Sequence, residues 1–279
     1  MAAGHMVTRP GHVQFGDELL LGPETAYRWR TLTGWEDSPG LDSGSVARSD
    51  AHGAHLGRLL AQPRTITVDQ MVIRTEPGRM GAAVRSLRAA TALRDDEQAL
   101  VVMLDDAEPP LLSFARCLRR SIPVGVGGYA VGVVQGAALM FEASDPRRYS
   151  LIEQQTEARL PLSGLAAPLH AVNAGDAPAH PVITVRGPLS LPSLANTGTG
   201  HVIEYDIDLG ADDTLLVDTS AGAVTLNGNA SALHTATARS ALENLYTLPP
   251  GPSTLLFRAA PGPVDPRASI ALRWRSAYW

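Results

Sequence analysis

Residues 173–194, NAGDAPAHPVITVRGPLSLPSL, decide the reading of this chain, because everything after them behaves as one all-β module. Asn173, Gly175, Asp176 and Pro178 are loop formers, and Pro181 closes the loop by disfavouring helix in the residue before it. A strand follows at once. In it Ile183 and Val185 alternate with Thr184 and Arg186, the period of two that buries one face of a sheet and wets the other.

Towards the C-terminus the alternation is strongest at residues 203–209. Ile203, Tyr205, Ile207 and Leu209 form an apolar face and Glu204, Asp206 and Asp208 an acidic one, so a slip of one residue would bury three carboxylates. Residues 214–218 and 223–227 read as a hairpin turning at Ser220, Ala221 and Gly222, with Leu215 and Val217 opposite Val224 and Leu226. TLPPG at 247–251 leads into a strand over 254–258, and a final strand sets Ile270, Leu272 and Trp274 against Arg273 and Arg275. Short strands at this spacing make a β-sandwich. Residues 231–246 fit two readings: their alanines favour helix, while their threonines and their place between strands favour a long loop.

Towards the N-terminus, residues 151–172 lack a regular period and read as a partly extended connection between two domains, with an edge strand allowed in it. Further back, residues 19–32 give two short strands split at Gly22 and Pro23, with Tyr27 and Trp29 on one face. Residues 34–54 are polar and aperiodic, a passage long enough to be either mobile or a contact loop. RTITVDQMVIR at 64–74 returns to strand, with Ile66 and Val68 together. Thr75, Glu76 and Pro77 resemble a helix start. Met80, Val84, Leu87 and Thr91 then oppose Arg79, Arg85, Arg88 and Arg94, which predicts an amphipathic helix over 79–94 lying on a sheet. Strands are expected at 99–104, 111–118 and 129–143. The apolar run 122–141 is broken by Pro123, five glycines and Gln135, so it reads as a glycine-kinked strand pair and not as a membrane helix.

Taken together, the pattern is mainly β: an N-terminal β domain with one amphipathic helix, residues 1–158, and a C-terminal sandwich, residues 159–279. The formal net charge is −5, with 16 arginines against 19 acids up to Ala158 and 7 against 9 beyond it, and no lysine. Neither half is a basic lobe, which argues against sequence-specific nucleic-acid binding. Cys117 is alone, so neither an intrachain disulfide nor a cysteine metal site is expected. The opening MAAGHMVTRPGHVQF has no basic region followed by an apolar run, so no secretory signal is expected there.

Each chemical candidate has a simpler reading that outweighs it. His52 and His55 stand near Asp50, but no further ligands follow at a metal-binding spacing. Gly125, Gly127 and Gly128 have no P-loop lysine and read as a flexible β loop. Glu204, Asp206 and Asp208 resemble paired glycosidase carboxylates, yet on one strand face they read as solvated surface. No serine sits in a nucleophile elbow. Asp145 is placed to cap a turn presenting Arg147 and Arg148, with an acidic partner as their secondary use. Asn229, Ala230 and Ser231 spell a glycosylation acceptor that has no meaning without a secretory route. No catalytic, metal or cofactor site is expected.

Five strings in order, NAGDAP, VITVRGPL, DTSAGAVTLNG, TLPPG and LRWRSAYW, resemble the C-terminal domain of the distal tail protein family of siphovirus-type phages, and FEASDPRRYS at 141–150 resembles the end of that family's first domain. The resemblance runs from about Leu19 to the C-terminus. It implies a baseplate hub or tail-tip component of the virion tail, with an N-terminal domain closing into a homohexameric ring and a galectin-like C-terminal sandwich. It also implies, as partners, the tail tube protein, a tail-tip or hub protein and a receptor-binding protein, and no catalytic residues. The same fold in a phage-derived contractile particle fits equally. A carbohydrate-binding surface protein is the rival reading; its stacking rings would come from Tyr205, Tyr246, Phe257, Trp274, Tyr278 and Trp279, of which Tyr205, Phe257 and Trp274 have core-face spacing. A glycan hydrolase using Asp206 is the third.

Overall fold

The computed structural model describes residues 2–162, 166–261 and 265–279. They form two compact units: one runs to Leu151 and includes Trp279, and the other is Ile152–Tyr278. Both are mainly β, as the alternation requires. Residues 163–165, in the middle of the expected connection, lie outside the described set.

The first unit is built on an antiparallel sheet in the order Leu19–Leu21, His12–Phe15, Gln98–Met103, Leu111–Ser121, Val133–Ala143, Arg64–Arg74, Tyr27–Arg28. Phe15 and Phe141 stand on strands separated by two others, yet their ring centroids are 4.7 Å apart. The sheet therefore curls over on itself and encloses one core. The strand Arg64–Arg74 changes phase midway: Ile66 and Val68 face inward, and so do Met71 and Ile73. The shift comes from Gln70, whose φ of 51° accompanies a register slip against the strand Val133–Ala143.

Only part of the predicted helix forms. It spans Met80–Ala90 and buries Met80, Val84 and Leu87 in the core, as its spacing demanded. Its start lies beyond the Thr75 signal, because Gly78 sits at φ 85° and no right-handed helix passes through that conformation. Its end comes four residues before Arg94. Thr91 turns its hydroxyl back to the Leu87 carbonyl at 2.6 Å, and Arg120 donates to the carbonyls of Arg88 and Thr91 at 3.2 and 3.0 Å, a cation capping the negative end of the helix. The expected strand over 129–143 begins only at Val133. Before it, Val126–Val131 is a short helix closed by Gly132 in the left-handed region, so the glycine-rich run is a helix and a strand and not a kinked strand pair.

The second unit is a sandwich of two antiparallel sheets. One has the order Gln154–Arg159, Ser269–Trp274, Val182–Arg186, Thr214–Asp218, Ala223–Leu226, Ala230–Ser231, and the other Ala167–Asn173, Gly251–Arg258, Ser193–Asn196, Val202–Glu204. The expected hairpin is present in register, Leu215 opposite Leu226 and Val217 opposite Val224. The edge strand allowed within the expected connection is present twice over: Gln154–Arg159 and Ala167–Asn173 are each the edge of a sheet. The acidic face at 203–209 does not persist. The strand stops at Glu204, and residues 235–241 fold over it as a long loop, pairing Thr237 with the Glu204 carbonyl and Ala241 with that of Val202. Glu204 is consequently 7% exposed, hydrogen-bonded by Thr237 at 2.9 Å and 3.5 Å from Arg239.

The opening NAGDAP is held by one buried side chain. The Asn173 amide donates to the carbonyls of Ala177 and Leu248 at 2.7 and 3.0 Å, and its oxygen accepts from the N–H groups of Gly175 and Ala277 at 3.2 and 3.1 Å. Gly175 passes so close to the Ala277 carbonyl that a Cβ there would stand 1.8 Å from its oxygen. Replacing Asn173 by Ala strands several buried backbone groups and is expected to lower the unfolding free energy by about 2–4 kcal/mol; Gly175→Ala should cost at least as much. Denaturant titration of both variants checks this, and losses below about 0.5 kcal/mol would contradict it.

Candidate assembly surface

Residues 41–61 leave the first unit as a two-stranded ribbon. Leu41 and Asp42 pair with Ala61 and Leu60 near its base, and Val46 and Ala47 pair with His55 and Ala54 near its tip. At about 3.3 Å per residue, ten residues a side reach on the order of 30 Å. From Leu41 to Leu60 every residue is exposed except Gly57, which is half-buried. The exposed set includes Leu41, Val46, Leu56, Leu59 and Leu60, with Leu56 at 93%. An isolated two-stranded ribbon has no interior in which to bury such side chains, and apolar surface on this scale marks an interaction site. The passage read as 34–54 is thus an arm whose returning strand carries most of the apolar side chains.

The arm's base is fixed by Arg64, which is 1% exposed. Its Nη1 donates to the carbonyls of Gly34, Trp35 and Asp37 at 2.8, 3.1 and 2.6 Å, and its Nε to that of Pro146 at 2.6 Å. Burial pushes its pKa down, the Arg148 charge pushes the same way, and Glu36 and Asp37 oppose them. Gly34 stands at φ 82°, where a Cβ would lie 1.9 Å from the Thr65 carbonyl oxygen, so the departing chain can run hard against the strand it leaves. Beside it, Arg148 pairs with Glu36 at 2.8 Å and lies over the buried Trp35 ring at 5.8 Å.

Asp145 caps the turn as the sequence suggests, accepting from the Arg147 N–H at 3.1 Å and from the Arg147 guanidinium at 2.8 and 2.6 Å, with the Tyr149 hydroxyl as a further donor. Burial pushes its pKa up, but Arg147 and the Tyr149 hydrogen bond outweigh that and leave it lowered. Both arginine side chains are largely buried, at 14% and 9% exposed, so neither is presented to an acidic partner.

The remaining sequence candidates do not converge. His52 and Asp50 are exposed at the arm tip and His55 is in its outer ladder; among the described residues no group of three or more His, Cys, Asp or Glu is placed to hold a metal ion. Gly125, Gly127 and Gly128 belong to the start of the short helix. Asp206 and Asp208 are exposed while Glu204 is covered, so the three carboxylates share no surface. Asn229 lies in the turn after Leu226. Cys117 is buried, and burial pushes its thiol pKa up, with Arg120 opposing. Of the rings named for sugar stacking, Tyr205, Tyr246, Phe257 and Trp274 are all buried. No helix among the described residues is long and apolar enough to cross a membrane.

No protein-family model matches the chain, and no curated protein matches it significantly. Among solved structures it is similar to SPP1 Dit (gp 19.1), described as a paradigm of hub adsorption apparatus in phages infecting Gram-positive hosts. The TM-score is 0.63 at 14% identity, over 91% of this chain and 94% of that one. Two structures of the phage P2 baseplate in its activated conformation, with Ca and with Sr, give TM-scores of 0.47 and 0.43 at 9% and 10% identity, each over 90% of this chain and 91% of that one. The chain therefore has the fold of SPP1 Dit along nearly its whole length.

Arg64→Met is expected to destabilise the first unit by about 2–4 kcal/mol and to speed amide exchange at residues 34–37. Arg64→Lys should recover less than half, since a compact ammonium cannot serve both directions of the guanidinium fork. The lowered pKa of Asp145 fixes a sign: its contribution is full above the unfolded value of about 3.9 and is lost as pH falls through that value towards the folded one. Acid titration of stability should therefore be shallower below about pH 4 in Asp145→Asn than in the parent.

Proposed function

We propose that the chain is a structural protein of a phage tail tip: a distal tail or baseplate hub component that closes with further copies of itself into a homohexameric ring around the tail channel. In this reading the ring joins the tail tube protein to a tail-tip or hub protein and to receptor-binding parts. The first unit makes the ring, and the second, a galectin-like sandwich, faces outward. The carrying observation is the fold shared with SPP1 Dit across nine-tenths of both chains, supported by an arm with apolar side chains that is exposed along almost its whole length. We assign the protein no reaction and no cofactor, a place in the virion tail, and assembly in the bacterial cytoplasm; the equivalent hub of a phage-derived contractile particle has the same physical requirements.

The carbohydrate-binding rival keeps only two of its six rings outside the core, Tyr278 half-buried and Trp279 exposed, because Tyr205, Tyr246, Phe257 and Trp274 are buried. Light scattering and negative-stain microscopy of the purified full chain should find closed rings, and a sample that stays monomeric would contradict the proposal. Replacing residues 41–61 by a short glycine-serine turn removes no core residue. That variant is expected to melt within a few degrees of the parent while forming no rings.

A further inference from the structure

We infer that the ring contact is directional: the arm of one copy, residues 41–61, seats its leucines on the valine-rich segment 122–131 of the next copy. This inference rests on the hub reading and names the surfaces that carry it. The segment 122–131 carries three exposed valines on one short stretch of the first unit, in which Leu93, Leu104, Phe114 and Leu118 are also exposed but stand singly along the chain. Its helix Val126–Val131 buries none of its residues, Val124, Val126 and Val131 are exposed, and Val126 reaches 90%. Gly125 and Gly127 would have open space around an added Cβ, so the surface between the valines is low and accessible to an approaching backbone.

The two surfaces lie at opposite ends of one strand. The arm departs at Arg64, where the Gln62 N–H donates to the Gly40 carbonyl at 2.7 Å and carries the arm's Leu41–Ala61 pairing back towards the sheet edge at Thr33 and Thr67. The valine segment returns at the far end, where Val133 pairs with Arg74 and Thr75 donates to the Gly132 carbonyl at 2.9 Å. Eleven residues of strand separate the two by on the order of 30 Å, and the exposure of the arm from base to tip means that it does not fold back to cover the segment. A chain that carries donor and acceptor at opposite ends cannot satisfy itself, and arm-to-arm pairing of two copies would leave both valine segments bare. Contact between unlike surfaces uses both and gives each copy one neighbour on either side, the arrangement that makes a ring when the rotation from copy to copy closes. Apolar side chains meet apolar side chains, so association should tolerate salt.

The chain's one cysteine, Cys117, is buried, which makes introduced thiols readable. Full-length protein carrying both Leu56→Cys and Val126→Cys, treated with a flexible bis-maleimide, should give a ladder of covalent oligomers beyond the dimer. An equal mixture of the two single variants should give dimers only, and each single variant alone should stay monomeric on a denaturing gel. In parallel, Val126→Asp should abolish rings without moving the melting temperature. Strong dimers from Leu56→Cys alone, or rings that survive Val126→Asp, would overturn the arm-to-valine contact while leaving the hub reading intact. A parent protein that never associates would overturn the hub reading itself, and this contact with it.

Discussion

Three carbonyls of one departing segment and one from a distant turn converge on the buried Arg64 guanidinium, and the placement of the arm depends on that convergence. A ribbon without an interior cannot fix its own direction; whatever aims it must act where it joins the body. A guanidinium suits the task because its donors diverge within one plane, so a single side chain ties the segment at 34–37 to the turn at Pro146. Arg148 over Trp35 and the Asp145–Arg147 pair fill in around it. The turn read from Asp145, Arg147 and Arg148 is thus structural, and its Pro146 carbonyl and Arg148 side chain lie where the arm joins the body.

The elements most legible in the sequence were those with one wet face and one dry one. The strand pair at 214–226, the last strand and the inward face of the helix at 80–90 follow from periodicity alone, since misplacing them would expose a core residue or bury a charge. Where the outcome depended on something packed above, periodicity failed. Glu204 alternates like a surface residue, but a segment whose own sequence fitted both helix and loop lies over it. Gln154–Arg159 has too few apolar residues to alternate, yet the unpaired edge of the strand Ser269–Trp274 recruits it through backbone bonds that any side chains permit. Arg64 was the missed signal that could have been read. It shares parity with Ile66 and Val68, so an inward arginine was already implied by the strand that contains it.

The second unit shows the complementary logic. Its inner faces are apolar, Tyr205, Tyr246, Phe257 and Trp274 are buried in its core, and Asn173 closes its entry loop by bonding to three separate segments. The first unit differs in leaving a whole ribbon, residues 41–60, exposed but for Gly57, along with the valines of segment 122–131.

The central claim is that the arm is ordered by another molecule. Hydrogen exchange measured by mass spectrometry on the same protein, above and below the concentration at which it assembles, tests it most directly. The account predicts that the amides of residues 41–61 exchange freely in the dilute protein and become protected on assembly, together with those of residues 122–131. Equal exchange of the arm in both samples, with protection appearing elsewhere, would contradict it.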